Sequence, residues 1–497
     1  MLKKVLALLT ALLLCSSFAL ADGTTFSMAG FDGDDSSHVW DTNLFFSRMT
    51  EKTGVSFTFK EYTNYETWQN TKSAMFSMNQ LPDLFFKAEL TSAEQIRYYE
   101  AGQLIDLRPY LQEYAPNFYA LLQANPEWEK EIALDDGAIV ALPTVNGLAS
   151  QNCMWINKTW LDTLGLELPT DAESFENVLI EFRDKDPNRN GKRDEIPLTF
   201  LGPWDLKFLG HAFGIIANDY NMYTDENGKA CFAAVGENYR AFITWLNKLY
   251  TTGLIDKSGF TTADTMRTIS DDKAALTYGI IMSSNPANLV TSAMAENYVL
   301  MPPLTHEGKQ EYRELYSKII PGTFAVTKEC KDVGAALSWV DYLYTEEGGR
   351  LALAGIEGVE YTMTTDGKWD WNGDSYTVAY DIAVNNIVSD TGNMPWLVPV
   401  EFELSYDNAS SRNIFTGIVE MGSYVVKPFP PFKLNAEDQS KITAMQNVLG
   451  AYVDSRLGRF VMGQVELNDE NWAAYEKGLE EAGLADFVSF WQAVADR

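Results

Sequence analysis

Two periods alternate along the first third of the chain. "TTFSMAGFDGD" alternates apolar and polar positions and ends in Gly and Asp, the pattern of a strand leaving a sheet. Val39, Trp40, Leu44, Phe45, Phe46 and Met49 then recur at helical spacing and predict a helix over 39–53. "GVSFTFKEYT" alternates again, "ETWQNTKSAMFSMN" returns to the helical period, and "LPDLFFKA" reads as an apolar strand after a Pro-Asp turn. Strand–helix–strand–helix–strand order predicts a parallel sheet with helices on its faces. Loops at the carboxyl ends of such strands build the site.

"DGAIVALPTVNGLASQNCMWINKTWLDTLGL" is a longer extended run before a helix, and reads as a strand crossing from one lobe to another. A helix over 171–183 follows, with Thr170 and Glu173 as its expected capping box and Phe175, Val178, Leu179 and Phe182 as its apolar face. "IPLTFL" is the next strand, "YRAFITWLNKLYTTGLID" a helix, and "KAALTYGIIMSSNP" a strand with a polar loop at its end. "NYVLMPPLTHEG" and "IIPGTFAVTKEC" are strands able to cross back, and the last third is mainly helical. No repeat or low-complexity linker interrupts this order. The expected fold class is α/β, with two lobes built from discontinuous segments. The expected division is a leader over 1–21, a first lobe over 22–143 and a second over 144–297. A return to the first lobe with crossing strands follows over 298–325, and a mainly helical remainder, of second lobe and C-terminal helices, over 326–497.

Composition narrows the function. The net charge of −31, from 69 acids against 38 bases, repels nucleic acid and anionic lipid. "MLKKVLALLTALLLCSSFALADG" has a basic start, an apolar run and Ala19-Leu20-Ala21, the pattern of an export signal cleaved after Ala21. Cys15 leaves a lipid-anchored alternative open. Cys153, Cys231 and Cys330 are too few and too scattered for a disulfide framework and lack metal-knuckle spacing; buried thiols are the expectation, with a single bridge left open.

Between the 171–183 helix and the next strand lies "DKDPNRNGKRDEIP". Counted from Asp186, the oxygen-bearing residues Asn188, Asn190 and Asp194 fall at positions 3, 5 and 9. Gly191 falls at the turn position 6, and Lys192 at 7, where a backbone carbonyl serves. Calcium wants six to eight oxygens converging from such a loop. The usual glutamate at position 12 is replaced by Pro197, so Glu195 would close a shortened loop. A solvated acidic turn is the competing reading.

"WINKTWLDTLGLELPTDAESFENVLIEFRDKDPNRNGKRDEIPLTF" resembles the extracellular solute-binding proteins of ABC importers, in the branch of LipO/LplA-like and alginate-oligosaccharide-binding proteins. "LPDLFF", "LYTTGLID", "FAVTKECKD", "YLYTEEGGRLAL", "GIEGVEY" and "FVMG" extend the likeness over most of the chain. The resemblance implies a type II, maltose-binding-like fold with a cleft between lobes. It implies structural calcium on Asp186, Asn188, Asn190, Asp194, Glu195 and the Lys192 carbonyl. It also implies an oligosaccharide ligand, delivery to permease subunits and a monomer.

Sugar binders stack ring faces on Trp or Tyr and fix hydroxyls with polar side chains. By topology the candidates are Trp204 after "IPLTF", Asn285 in "MSSNPAN", Lys87 and Glu89 after "PDLFF", Trp40, Trp396 in "GNMPWLVP" and Asn146 near the crossing strand. Asp32 and Asp34, Glu357 and Tyr361 are secondary candidates. A core or turn role competes at each. No nucleophile elbow, zinc-protease helix or phosphate loop occurs, so an enzyme is not expected. A glycosidase, which needs only two facing carboxylates, a peptide or other solute as ligand, and a sensor or adhesin role are the alternatives.

Overall fold

The structure is a computed structural model that describes residues 23–148, 152–260, 277–314, 317–373 and 376–497. The leader, its expected cleavage point and Cys15 lie outside the described residues. No helix among the described residues is long and apolar enough to cross a membrane.

Two sheets organise the chain. In order of sequence their strands are β1 (Thr24–Phe31), β2 (Val55–Tyr62), β3 (Leu84–Phe86), β4 (Leu142–Val145), β5 (Cys153–Asn157), β6 (Ile196–Phe200), β7 (Tyr278–Ser283), β8 (Tyr298–Met301) and β9 (Ile319–Val326). The first sheet runs β2-β1-β3-β9-β4 and the second β8-β5-β7-β6. β1 pairs parallel with β2 and β3, as the strand–helix–strand order requires, while β9 is antiparallel to β3 and β4.

Alternation divides the first sheet between two cores. Phe26, Met28, Leu84, Phe86, Phe324 and Val326 face one layer of helices, and Ala29, Phe31, Phe85 and Ala325 face the other. The second sheet is buried in one large core with the helices Ala172–Asp184, Gly236–Thr251 and Ala436–Val461. The helical remainder does not belong wholly to the second lobe, as the expected division has it. Ala336, Leu337, Trp339, Val340, Leu351, Ala352 and Val398 pack in the first sheet's core, and the chain joins the second core near Ile414 and Ile418. The apolar faces of 333–354 match a sheet completed by β9, immediately upstream.

Two element boundaries differ from expectation. The first helix spans Leu44–Thr53, because Asn43 accepts the Phe45 N–H and caps it there. The helix expected over 171–183 runs Ala172–Asp184 with Asp171, not Thr170, as its cap. Asp171 Oδ1 accepts the Ser174 N–H at 2.8 Å, and Ser174 Oγ accepts the Asp171 N–H at 3.0 Å. No disulfide joins Cys153, Cys231 and Cys330.

A charged knot closes the carboxyl ends of β1 and β3. Lys87 is fully buried, and its Nζ donates to Asp32 Oδ1 at 2.5 Å and to the Thr391 carbonyl at 2.7 Å. Asp32 Oδ2 also meets His38 Nδ1 at 2.6 Å, and His38 Nε2 lies 3.0 Å from Asp390 Oδ1. Burial alone would favour the neutral forms of both groups. The hydrogen bond from His38 and the charge of Lys87 outweigh it and hold the Asp32 carboxyl at about 2, while Asp32 and Asp390 raise His38 to about 9. The knot therefore ties the segment around 390 to two strands more than 300 residues earlier.

Two outcomes follow from this packing. A Cβ built on Gly30 would lie 1.6 Å from the Phe86 carbonyl oxygen, so Gly30→Ala must push β1 from β3. It is expected to cost about 1–3 kcal/mol or more, read from the denaturation midpoint. For His38 the folded pKa lies above the ordinary 6.5, so its stabilisation is complete below pH 6.5 and fades as pH rises through about 9. The melting temperature should fall across that window, and less so in His38→Asn.

Candidate functional site

Register fixes which strand ends share a side within each sheet. Val145 pairs with Ile319 and Phe86 with Phe324, so the end of β4 and the start of β9 lie on the same side as the carboxyl ends of β1, β2 and β3. In the second sheet Cys153 pairs with Ser283 and Phe200 with Met282, so the start of β5 and the ends of β6 and β7 share a side. The chain crosses between the sheets from β4 to β5, from β8 to β9 and again after Val398. At the hinge the Val145 N–H donates to the Trp396 carbonyl at 2.8 Å and its carbonyl accepts the Val398 N–H at 2.8 Å. Beside it the Asn146 N–H reaches the Lys318 carbonyl at 2.8 Å. The strand ends thus open into one interlobe cleft around these crossings. One residue before Lys318, Ser317 Oγ donates to Glu131 at 2.5 Å, and Glu131 also accepts Lys427 Nζ at 2.6 Å.

Trp204 stands at the end of β6 and is 45% exposed. Its presentation is built by Asp205, which is fully buried. Asp205 Oδ2 accepts the N–H groups of Leu201 at 2.8 Å and Gly202 at 3.1 Å, and its other oxygen takes the Asn152 side-chain amide. This closes the loop 201–204 and leaves the indole edge-on to Phe208, with centroids 6.1 Å apart. Trp204 also borders a cavity of about 520 Å³, with Lys207, Leu246, Phe260, Asp454 and Gly458 among its other walls. The Oδ1 of Asn152, a buried residue, has no hydrogen-bond partner among the described residues.

Several expected ligand residues have other duties. Trp40 is wholly buried, 5.5–5.7 Å from the rings of Phe46, Phe59 and Phe86, because it precedes the helix and drops into the core above β3. Trp396 is buried against the first sheet, and its backbone pairs alongside the end of β4. Lys87 is consumed by the charged knot, as is Asp32. Asn285 Oδ1 caps a short turn by accepting the Ala287 N–H at 2.8 Å, and Asn146 Oδ1 accepts the Leu148 N–H at 2.8 Å. Tyr361 sits in an aromatic cluster with Trp369 and Phe402, and Glu357 is exposed beside it. Asp34 and Glu89 follow the carboxyl ends of β1 and β3, Asp34 exposed and Glu89 half-buried. Glu89 Oε1 accepts Asn393 Nδ2 at 2.9 Å, and Asp34 Oδ1 accepts the Tyr65 N–H at 2.6 Å. Sequence reasoning missed Tyr65, 47% exposed at the end of β2, although an aromatic directly after the capping Asn64 marks that strand end.

The Asp186–Glu195 loop is a tight turn closed by its own side chains. Arg189 and Gly191 take positive φ of 56° and 74°. Asp186 Oδ1 and Oδ2 accept the N–H groups of Asn190 and Gly191 at 3.0 and 2.9 Å, and Asn190 Oδ1 accepts the Lys192 N–H at 2.7 Å. Both Glu195 carboxylate oxygens are buried without a hydrogen-bond partner among the described residues. Burial, then the Asp194 and Asp186 charges, raise the Glu195 carboxyl above its ordinary value. Among the described residues no three His, Cys, Asp or Glu side chains converge as a metal cluster, so any ion here would also need the asparagine and carbonyl oxygens.

The chain is 26% identical over 491 residues to the fructooligosaccharide ABC transporter substrate-binding protein FusA of Streptococcus pneumoniae, covering 91% of this chain and 87% of that one. Its fold matches FusA in complex with kestose at a TM-score of 0.70 and 22% identity, over 95% and 99% of the two chains, and FusA also has an EF-hand mutant of known structure. It matches an extracellular solute-binding protein from Bifidobacterium longum subsp. infantis at 0.78 and 22%, over 95% and 98%. It matches the alginate-binding protein AlgQ2 without calcium ion at 0.67 and 20%, over 96% and 99%. The description "bacterial extracellular solute-binding protein" fits residues 41–350, more than half of the sequence, and the chain belongs to that family.

Proposed function

We propose that this protein is an exported binding subunit that captures an oligosaccharide in the interlobe cleft and delivers it to the permease subunits of an ABC importer. The observation that carries the reading is Trp204: a tryptophan half-exposed at a strand end, held there by a buried aspartate. An indole face in that setting suits the apolar face of a sugar ring. The similarity to a fructooligosaccharide-binding relative over most of both chains supports the ligand class. Binding without chemistry fits the family and the sequence, which lacks the motifs of a nucleophile, catalytic metal or phosphate site. Export through the leader, with cleavage after Ala21, fits an extracellular family, and we propose a monomer.

The same reading assigns calcium to the 186–195 loop. Asp186, Asn188, Asn190, Asp194 and Glu195, with the Lys192 carbonyl, would hold it. The buried, unpartnered Glu195 oxygens fit a cation that satisfies them. The ion's part is structural, tying the helix Ala172–Asp184 to β6, which in turn carries Trp204.

Calcium at about a hundredfold over its Kd should stabilise the fold by roughly 2.7 kcal/mol. Chelator should therefore lower the melting temperature, and Asp186→Ala should abolish that response; a wild type indifferent to chelator, with no metal by elemental analysis, refutes the assignment. Trp204→Ala should melt close to wild type and bind its oligosaccharide about tenfold more weakly, a loss of about 1.4 kcal/mol by calorimetry. Strong destabilisation would instead mark the ring as structural.

A further inference from the structure

The first lobe's wall of the cleft carries a second aromatic and an unusual charge arrangement. Tyr65 begins the helix that follows β2, and its ring meets Phe31 edge-on at 5.5 Å while 47% of the residue stays exposed. Its N–H donates to Asp34 Oδ1 at 2.6 Å, which holds the head of this helix against the loop after β1. Glu89 stands close enough for its charge to act on the Tyr65 phenol, which burial and then Glu89, Glu94 and Asp34 raise above its ordinary value.

The segment that presents Glu89 is strained and clamped. Lys87 and Glu89 both take φ of 50°, a conformation that non-glycine residues avoid and that concentrates at functional sites. Gly322 permits the approach, since a Cβ there would lie 2.1 Å from the Leu90 carbonyl oxygen. Two buried lysines hold the segment. Lys87 is spent on Asp32 and Thr391, and Lys72 Nζ donates to the Glu89 carbonyl at 2.6 Å and to Glu94 Oε2 at 3.0 Å. Neither cation is free to meet an anionic ligand. What this wall offers to the cleft is carboxylate: Asp34, and Glu89 aligned by Asn393.

We infer that Tyr65, Glu89 and Asp34 form a first-lobe subsite that stacks and hydrogen-bonds an uncharged sugar, and that the cleft selects neutral oligosaccharides against uronates. This rests on the proposed carbohydrate reading and deepens it. Carboxylates accept hydrogen bonds from sugar hydroxyls and repel a second carboxylate brought to the same face. Position supports an extended ligand. β2 is four strands from β4 and the hinge, about 19 Å at the usual strand spacing of about 4.8 Å, so a ligand reaching both is longer than one ring.

The test is calorimetric titration of the full mature chain, in calcium, with neutral trisaccharides (kestose, maltotriose, cellotriose, mannotriose) and with trigalacturonate. The expected result is that at least one neutral sugar binds about tenfold or more tightly than trigalacturonate. For that sugar Tyr65→Ala should weaken binding about tenfold at unchanged melting temperature, with Tyr65→Phe close to wild type. Asp34→Asn combined with Glu89→Gln should narrow the preference over trigalacturonate. Tyr65→Ala at full affinity, or tighter binding of trigalacturonate by the wild type, overturns the subsite while leaving the carbohydrate reading intact. Failure of the wild type to bind any of these sugars overturns both.

Discussion

A lysine buried at the end of an apolar strand is the constraint around which the first lobe is arranged. Lys87 follows the run Leu84–Phe86, all of it buried, and an ammonium there is tolerable only if its charge is met. Asp32 meets it from the neighbouring strand, His38 and Asp390 extend the pairing, and the Thr391 carbonyl takes a further donor. The knot holds the ends of β1 and β3 and the 390 segment in one arrangement. The aromatic and acidic side chains near it then project from a fixed frame. A rigid wall of this kind lowers the ordering cost a ligand must offset.

The second lobe reaches a similar end by other means. There a single buried carboxylate, Asp205, gathers two backbone N–H groups and the Asn152 amide, and so decides where Trp204 stands. The 186–195 turn sits at the opposite, entering end of the same strand, β6. In both lobes a buried charge at a strand end sets the loop beyond it. In the first the charges neutralise one another; in the second the backbone does the work.

Much of the plan was legible in the residues. The alternation of "TTFSMAGF" and "GVSFTFKEY" and the helical spacing between them suffice for the parallel start of the first sheet, and the spacing of Asp186, Asn188, Asn190 and Gly191 for a tight turn. The candidate site was read less well, because exposure is a tertiary property. Trp396 occupies loop-like sequence beside proline and glycine, and Trp40 the head of a helical pattern, yet both are buried against strands distant in the chain. Lys87 looked like a cleft residue for the same reason: its partners Asp32 and Thr391 lie 55 and 304 residues away. Tyr65 was hidden by the opposite effect, since an aromatic at the head of a helical pattern reads as core until the strand before it is known to end at a cleft.

The order of strands in the first sheet carries a consequence for how the chain reaches this state. β9 lies between β3 and β4, although it follows both by a whole lobe. Until residues 319–326 arrive, β3 offers an open edge of Leu84, Phe85 and Phe86, with no neighbour on that side. Short apolar edges of this kind invite pairing with other chains. A polypeptide emerging from its amino end therefore carries a sticky, half-built sheet through the synthesis of more than 200 residues, and neither lobe can be cut out as a continuous piece. Folding of the first lobe must wait for the return strand, so the period of greatest risk is set by the length of chain between β3 and β9.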